Sequence, residues 1–305
     1  MSFYTHPAKN GFWLEEDKSS GNEKDLIMQF YDAHIHFYFK FPAEELKGVF
    51  SRLIASGMRG FNALTFPEFP NDINVVLKMV PAAYHGNISL AALEVQQDSA
   101  PFFEWALPLT IIPFVDARFM EHDIEAKMER FKQRGFKGLK LLYVPEEDKN
   151  IRVEGMERAF GRPLKKSEAI AARLIDSAAS QRMCVLFHAD LRRYGSFVEE
   201  MLHSHPTINF NIPHFGSSRR AMSNLLENYP NCYTDTSSLV PFMTQDPESY
   251  RSFIRQFQDR ILYGSDALIS NPGHVESTRG FLDQLLDDPA LFHKLTHKNY
   301  LEFHG

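Results

Sequence analysis

Cysteine is almost missing from this chain: Cys184 and Cys232 are the two among 305 residues. A disulfide framework is therefore excluded as a source of stability. Both thiols are expected to be reduced and to serve as small buried apolar groups. Long apolar runs are missing too. None reaches the roughly 18 residues that a membrane helix needs. Residues 1–24 are polar and contain no apolar centre of a signal peptide. Basic runs are absent, and 33 Lys and Arg against 39 Asp and Glu give a formal charge of −6. That balance argues against nucleic acid as a partner. There is no G-x-G-x-x-G and no P-loop, the phosphate-cradling turns of a doubly wound sheet, and no internal repeat. The expectation left by these absences is a cytoplasmic protein without a membrane or nucleic-acid partner. Its partner would be a small-molecule substrate, and a homo-oligomer stays open.

What is present is ordinary globular material, 44% hydrophobic and 24% charged, enough for a sizeable core. Residues 1–25, interrupted by Gly11, Ser19, Ser20 and Gly21, read as an N-terminal extension, and 26–305 as one domain. Apolar runs predict strands at 26–36, 59–66, 107–115, 136–142, 183–188, 208–214, 232–236 and 261–265. Helical spacing predicts helices at 43–56, 123–134, 167–182 (with Ser167 as N-cap), 194–204, 218–228, 249–257, 276–287 and 289–303. Residues 72–106 read as helix with an irregular tail. Residues 143–167 are polar, carry Pro145, Gly155, Gly161 and Pro163, and predict a mobile cover inserted after strand four. Eight strands alternating with helices call for parallel pairing and crossover connections, hence α/β and a (β/α)8 TIM barrel.

Chemistry gathers where the apolar runs stop. In a strand, alternate residues share a face, so His34 and His36 point the same way. Two imidazoles so placed suit zinc and related divalent metals. The other strand ends carry Asp32 beside this pair, Lys140, His188, His214 and Asp266. The carboxyl ends of barrel strands are where active sites lie, so these residues predict one site.

The stretches Asp32-Ala33-His34-Ile35-His36, Gly135-Phe136-Lys137-Gly138-Leu139-Lys140-Leu141, Phe187-His188-Ala189-Asp190, Pro213-His214-Phe215-Gly216, Tyr233-Thr234-Asp235-Thr236-Ser237 and Arg260-Ile261-Leu262-Tyr263-Gly264-Ser265-Asp266 carry a family pattern. In order and spacing they resemble the amidohydrolase superfamily, in particular the amidohydrolase 2 branch of metal-dependent TIM-barrel hydrolases, over about 28–303. The resemblance implies that His34, His36, His188 and Asp266 ligate one divalent metal, with zinc first, while His214 stands beside it. Asp266 and His214 are then the catalytic pair, as proton carrier and as base or polarising group. Asp32 is expected to orient a ligand or to serve the structure. In some superfamily members a strand-four lysine is carbamylated and bridges a second metal. Lys140 is open to that role, to a substrate contact or to a buried ion pair.

Arg192 and Arg193 after His188, and Arg219 and Arg220 after His214, are candidates to bind a substrate carboxylate. The leading expectation is hydrolysis of an amide, lactone or ester carbonyl by metal-activated water. The alternatives are a metal-dependent decarboxylase or hydratase of an aromatic or unsaturated acid, and a non-catalytic barrel acting as a binding module.

Overall fold

The computed structural model describes residues 29–305, so the extension expected at 1–25 lies outside the described residues. The strands are β1 (Phe30–His36), β2 (Met58–Thr65), β3 (Thr110–Asp116), β4 (Gly138–Leu142), β5 (Cys184–His188), β6 (Phe210–Ile212), β7 (Cys232–Asp235), β8 (Ile261–Leu262) and β9 (Ala267–Leu268). Every pairing is parallel, in the order β8-β7-β6-β5-β4-β3-β2-β1-β9. The two edges of that sheet are four residues apart in the chain. β8 pairs with β7 and β9 with β1. Between them the Ala33 amide donates to the Tyr263 carbonyl at 2.9 Å and the Asp266 amide to the His34 carbonyl at 3.0 Å. The sheet therefore meets itself, and the fold is a (β/α)8 barrel whose eighth strand is broken at 263–266.

Strands buried on both faces explain the continuous apolar runs. Leu64, Ile112, Phe114, Leu186 and Leu262 cluster with Tyr300 and Phe303 of the last helix, Asn299–His304. Gly138 makes room inside, because a Cβ there would lie 2.3 Å from the Phe114 ring. The plug is also hydrogen-bonded: Asn62 Oδ1 accepts from Tyr300 Oη at 2.8 Å and contacts His304 Nε2 at 2.9 Å. The helix expected at 289–303 changes pitch on the way, with a π-helical stretch at Lys294–Lys298. Leu295 of that stretch supplies the carbonyl for the Tyr263 amide.

Several boundaries differ from the expected ones for local reasons. The helix expected to be capped by Ser167 runs Leu164–Ser180, starting after Pro163, whose fixed φ suits a helix entrance. Ser167 is buried and its hydroxyl donates to the Arg162 carbonyl at 3.2 Å, so it is no cap. The helix after β5 begins at Leu191, three residues early, because the Asp190 carboxylate caps it through the Arg192 amide. In 72–106, Asp72 caps Ile73–Lys78 and Ser89 caps Leu90–Gln96.

The connection after β4 is built rather than loose. Asp148 and Val153 pair antiparallel, Met156–Phe160 is helical, and Tyr143, Val144, Val153 and Met156 are buried. The last three join Tyr38, Phe66, Val76, Met79, Val80, Phe119, Leu142 and Leu268 in a second apolar cluster at the carboxyl ends of the strands. Phe37 and Phe39 belong instead to the main core between barrel and helices. No helix among the described residues is long and apolar enough to cross a membrane.

Two outcomes follow for stability. Tyr300→Ala should cost about 3–5 kcal/mol in urea unfolding, the scale of truncating a buried aromatic, and Tyr300→Phe about 1 kcal/mol for the lost hydrogen bond. A loss below about 1 kcal/mol for the alanine variant would show that the plug does not hold the barrel. Burial, above all, pushes His297 down to about 4 and His304 down to about 3. Between an ordinary histidine pKa near 6.5 and those values, the unfolded chain binds protons that the folded chain refuses. The urea midpoint should thus fall as pH drops from about 6.5 towards about 4. His304→Gln should make that fall shallower; an unchanged slope would remove the ring from the balance.

Candidate metal centre

β1 brings His34 and His36 to one face at its carboxyl end, with ring centroids 5.3 Å apart. The break in the eighth strand brings Asp266 against them. Gly264 permits the approach: a Cβ there would sit 3.1 Å from His34 Cβ and 3.2 Å from Asp235 Cγ. Asp266 itself adopts φ 60°, a left-handed conformation unusual for a side-chain-bearing residue. Donor atoms of His34, His36 and Asp266 all lie within 4.8 Å of one another.

The proton positions in this group can be traced from its neighbours. His34 Nδ1 lies 3.1 Å from Asp235 Oδ2. An ionised carboxylate only accepts, so Nδ1 carries the proton and Nε2 keeps a lone pair. That Nε2 is buried without a hydrogen bond, yet it stands 3.2 Å from Asp266 Oδ1. His36 Nδ1 lies 3.1 Å from Tyr38 Oη, whose proton goes to Asp116 Oδ2 at 3.4 Å. The tyrosine oxygen therefore accepts from Nδ1–H, and His36 Nε2 also turns a lone pair to Asp266 Oδ1, at 3.0 Å. Burial pushes His36 down to about 4, so the ring is neutral at pH 7. Two lone pairs aimed at one carboxylate oxygen repel unless a cation sits among them. The donor set, two imidazole nitrogens and a carboxylate, fits a zinc-like divalent ion.

Each donor is steered by a second group. Asp235, at the end of β7, accepts from Asn211 Nδ2 at 2.9 Å, from the His214 and Ser237 amides at 3.1 Å each, and from the Ser237 hydroxyl. Burial alone would raise its pKa, but His34, His214 and Ser237 hold it well below the usual carboxylate range. Asp116 is gripped bidentately by Arg118, at 2.8 and 2.5 Å, and Arg118 also donates to the Met79 carbonyl at 2.6 Å. Asp266 Oδ2 accepts from Ser238 Oγ at 2.5 Å, and the Asp266 carbonyl accepts from Tyr84 Oη at 2.9 Å.

The remaining expected residues divide. His214 is beside the group: its ring lies 5.3 Å from that of His34, and Nδ1 meets the Ser237 carbonyl at 2.8 Å. Its proton is thus on Nδ1, leaving Nε2 unprotonated. His188 stands next to His214, at 5.0 Å between rings, but outside the 4.8 Å cluster of His34, His36 and Asp266. Asp32 acts through the backbone. Its Oδ1 accepts from the His34 amide at 2.9 Å and the Ser265 amide at 3.1 Å, tying β1 to the broken strand. Burial pushes it up to about 7. Lys140 is buried in the barrel interior, and burial pushes it down to about 8.

The loop arginines are engaged with their own surroundings. Arg192 pairs with Asp190 at 2.7 Å, Arg193 with Glu146 at 2.5 Å, and Arg219 with Asp246 at 3.5 Å while lying over the Tyr250 ring; Arg220 is exposed. Sequence does not single out Tyr38, Tyr84, Asp116, Arg118 and Ser238, and gives Asp235 and Ser237 only as members of a patterned stretch, without a role. The strand-end rule reaches Asp116 and Asp235, and strand parity carries Tyr38 from His36 and Arg118 from Asp116. Tyr84 and Ser238 lie on irregular segments, where no periodicity marks them.

Residues 31–302 match the family model described as amidohydrolase. The chain matches no curated protein. Among solved structures it is similar to an uncharacterised TIM-barrel protein, Bb4693 of Bordetella bronchiseptica, at TM-score 0.58 and 14% identity, covering 90% of this chain and 98% of that one. It is also similar to an amidohydrolase from Pseudomonas aeruginosa, at TM-score 0.52 and 13% identity, with 92% and 97% covered. A phosphotriesterase homology protein from Escherichia coli, solved with phosphate in its active site, gives TM-score 0.52 and 11% identity, with 91% and 99% covered. At these identities the structural likeness establishes the barrel alone. The family match spans nearly the whole barrel and takes in every residue of the site just described: the chain belongs to the amidohydrolase family.

Proposed function

We propose that the protein is a metal-dependent hydrolase acting on the amide, lactone or ester carbonyl of a small molecule. The observation that carries this is the pair of imidazole lone pairs, on His34 Nε2 and His36 Nε2, converging on Asp266 Oδ1 at 3.2 and 3.0 Å. His34, His36 and Asp266 would hold a divalent cation, with His188 as fourth donor from the end of β5. Such a cation lowers the pKa of a water molecule and polarises a carbonyl oxygen.

The chain's own groups then supply proton traffic. Asp266 Oδ2, turned away from the imidazoles and held by Ser238 Oγ, is the oxygen suited to take a proton from the attacking water and return it to the leaving group. His214, neutral with its proton committed to the Ser237 carbonyl, offers Nε2 as a base that accepts a proton. Burial depresses the pKa of His214, which favours that neutral form. Asp235 holds the His34 ring and the His214 backbone through one carboxylate, so ligand and base keep their spacing.

Metal analysis of the full chain should find about one divalent ion per molecule. His36→Asn and Asp266→Asn should lose it, and His188→Ala should bind it about 10–100-fold more weakly or worse. Full metal content in His36→Asn would refute the ligand set; unchanged affinity in His188→Ala would remove only the fourth donor.

His214→Asn should keep the metal and the fold, while kcat falls about 10²–10⁴-fold on a substrate found by screening esters, lactones and amides. If that variant loses metal as completely as His36→Asn, His214 is a ligand and Asp266 becomes the base. Carbon dioxide release without hydrolysis across the screen would move the reading to decarboxylation.

A further inference from the structure

Lys140 is a buried cation without a fixed partner. It stands on β4 in register with Asp116 of β3 and Leu186 of β5, and is 1% exposed. Among the described residues its ammonium makes no hydrogen bond and no ion pair. An almost fully buried ammonium without an acceptor in the protein is costly unless something else solvates it, and an aliphatic side chain at this position would avoid that cost.

The carboxylates that act on Lys140 are those of Asp116, Asp266 and Asp235. Each already has its own counterpart. Asp116 is matched by the bidentate guanidinium of Arg118. Asp235 takes donors from His34, Asn211, Ser237 and the His214 backbone. Asp266 faces His34, His36 and Ser238. On the proposed reading of the centre, on which this step rests, a divalent ion balances the two carboxylates of Asp235 and Asp266. With Asp116 matched by Arg118, the groups left over inside the barrel are the ammonium of Lys140 and the carboxyl of Asp32, whose pKa burial raises to about 7 and whose Oδ1 is already held by the His34 and Ser265 amides. Of the loop arginines, Arg192, Arg193 and Arg219 each have a carboxylate at 2.5–3.5 Å, and Arg220 is exposed to solvent instead of enclosed in the barrel.

We propose that Lys140 is the anion contact of the site, receiving a carboxylate or similar oxyanion of the substrate at the floor of the barrel mouth. Specificity for an anionic substrate would then reside in the barrel interior and not on the loops. The acceptor missing from the protein is supplied by the substrate, so a neutral analogue would leave the ammonium buried and unpaired.

The test is anion binding to the full-length chain, with acetate and inorganic phosphate as probes, by calorimetry with and without added zinc. The unaltered protein should bind at least one probe. Lys140→Met should weaken that binding at least about tenfold, the loss expected for a charged hydrogen bond, with zinc content unchanged. Equal binding in the variant overturns the proposal. So does loss of zinc in Lys140→Met, which would make the lysine a support of the metal. If the variant does not fold, lysine ¹⁵Nζ resonances of the unaltered protein decide: a probe-dependent shift at Lys140 supports the contact, and no shift rejects it. Zinc content reports separately on the metal reading, so a chain without zinc that still binds phosphate through Lys140 keeps this proposal and loses the other.

Discussion

The closure of the barrel between β1 and the broken eighth strand is the constraint on which the centre depends. A continuous strand at 261–268 would alternate its side chains and could not turn Asp266 back onto both histidines. The break lets β8 pair with β7, β9 pair with β1, and the residues between them hydrogen-bond to the backbone of Ala33 and His34. Asp32 holds the same junction from the other side by accepting the His34 and Ser265 amides. The carboxylate and the imidazoles are therefore positioned by one local knot of backbone, not by long side chains reaching across a cavity.

Around that knot the structure sets protons as well as distances. A buried imidazole has one donor and one acceptor nitrogen, and whichever partner meets Nδ1 determines what Nε2 can do. Asp235 does this for His34, and Tyr38, backed by Asp116 and Arg118, does it for His36. The arrangement is not free of cost. His214, Ser238 and Asp266 all adopt φ near +55°, in the left-handed region, and such positions cost about 1–3 kcal/mol each. They are three of nine such side-chain-bearing positions among the described residues, and these three lie around the centre.

The apolar cluster over the strand ends has a second consequence. Tyr38 belongs to it and also contacts His36, stacking on Phe66 at 4.5 Å while its hydroxyl bridges His36 and Asp116. Packing of the 66–93 and 144–156 segments thus bears on the orientation of His36. The cover expected from the Pro and Gly content of 143–167 is in fact anchored by Val144, Val153 and Met156, because apolar residues at irregular spacing leave no period to read.

Sequence alone determined the layered alternation, the parallel pairing and the strand-end position of His34, His36, Lys140, His188, His214 and Asp266. These follow from apolar runs and from pleat parity, which are local properties of the chain. The cap expected at Ser167 was not legible, since a hydroxyl inside a buried first turn can donate backwards instead of capping, while Asp72 and Ser218 cap their helices. Only the tertiary structure decided that the eighth strand breaks, that His188 sits against His214 outside the tight triad, and that Asp235 serves His34 across 201 residues. It alone paired Arg192, Arg193 and Arg219 with nearby carboxylates and left Lys140 without one. Pairings of that kind depend on which strand ends meet in space and at what height, and no periodicity along one strand carries that information.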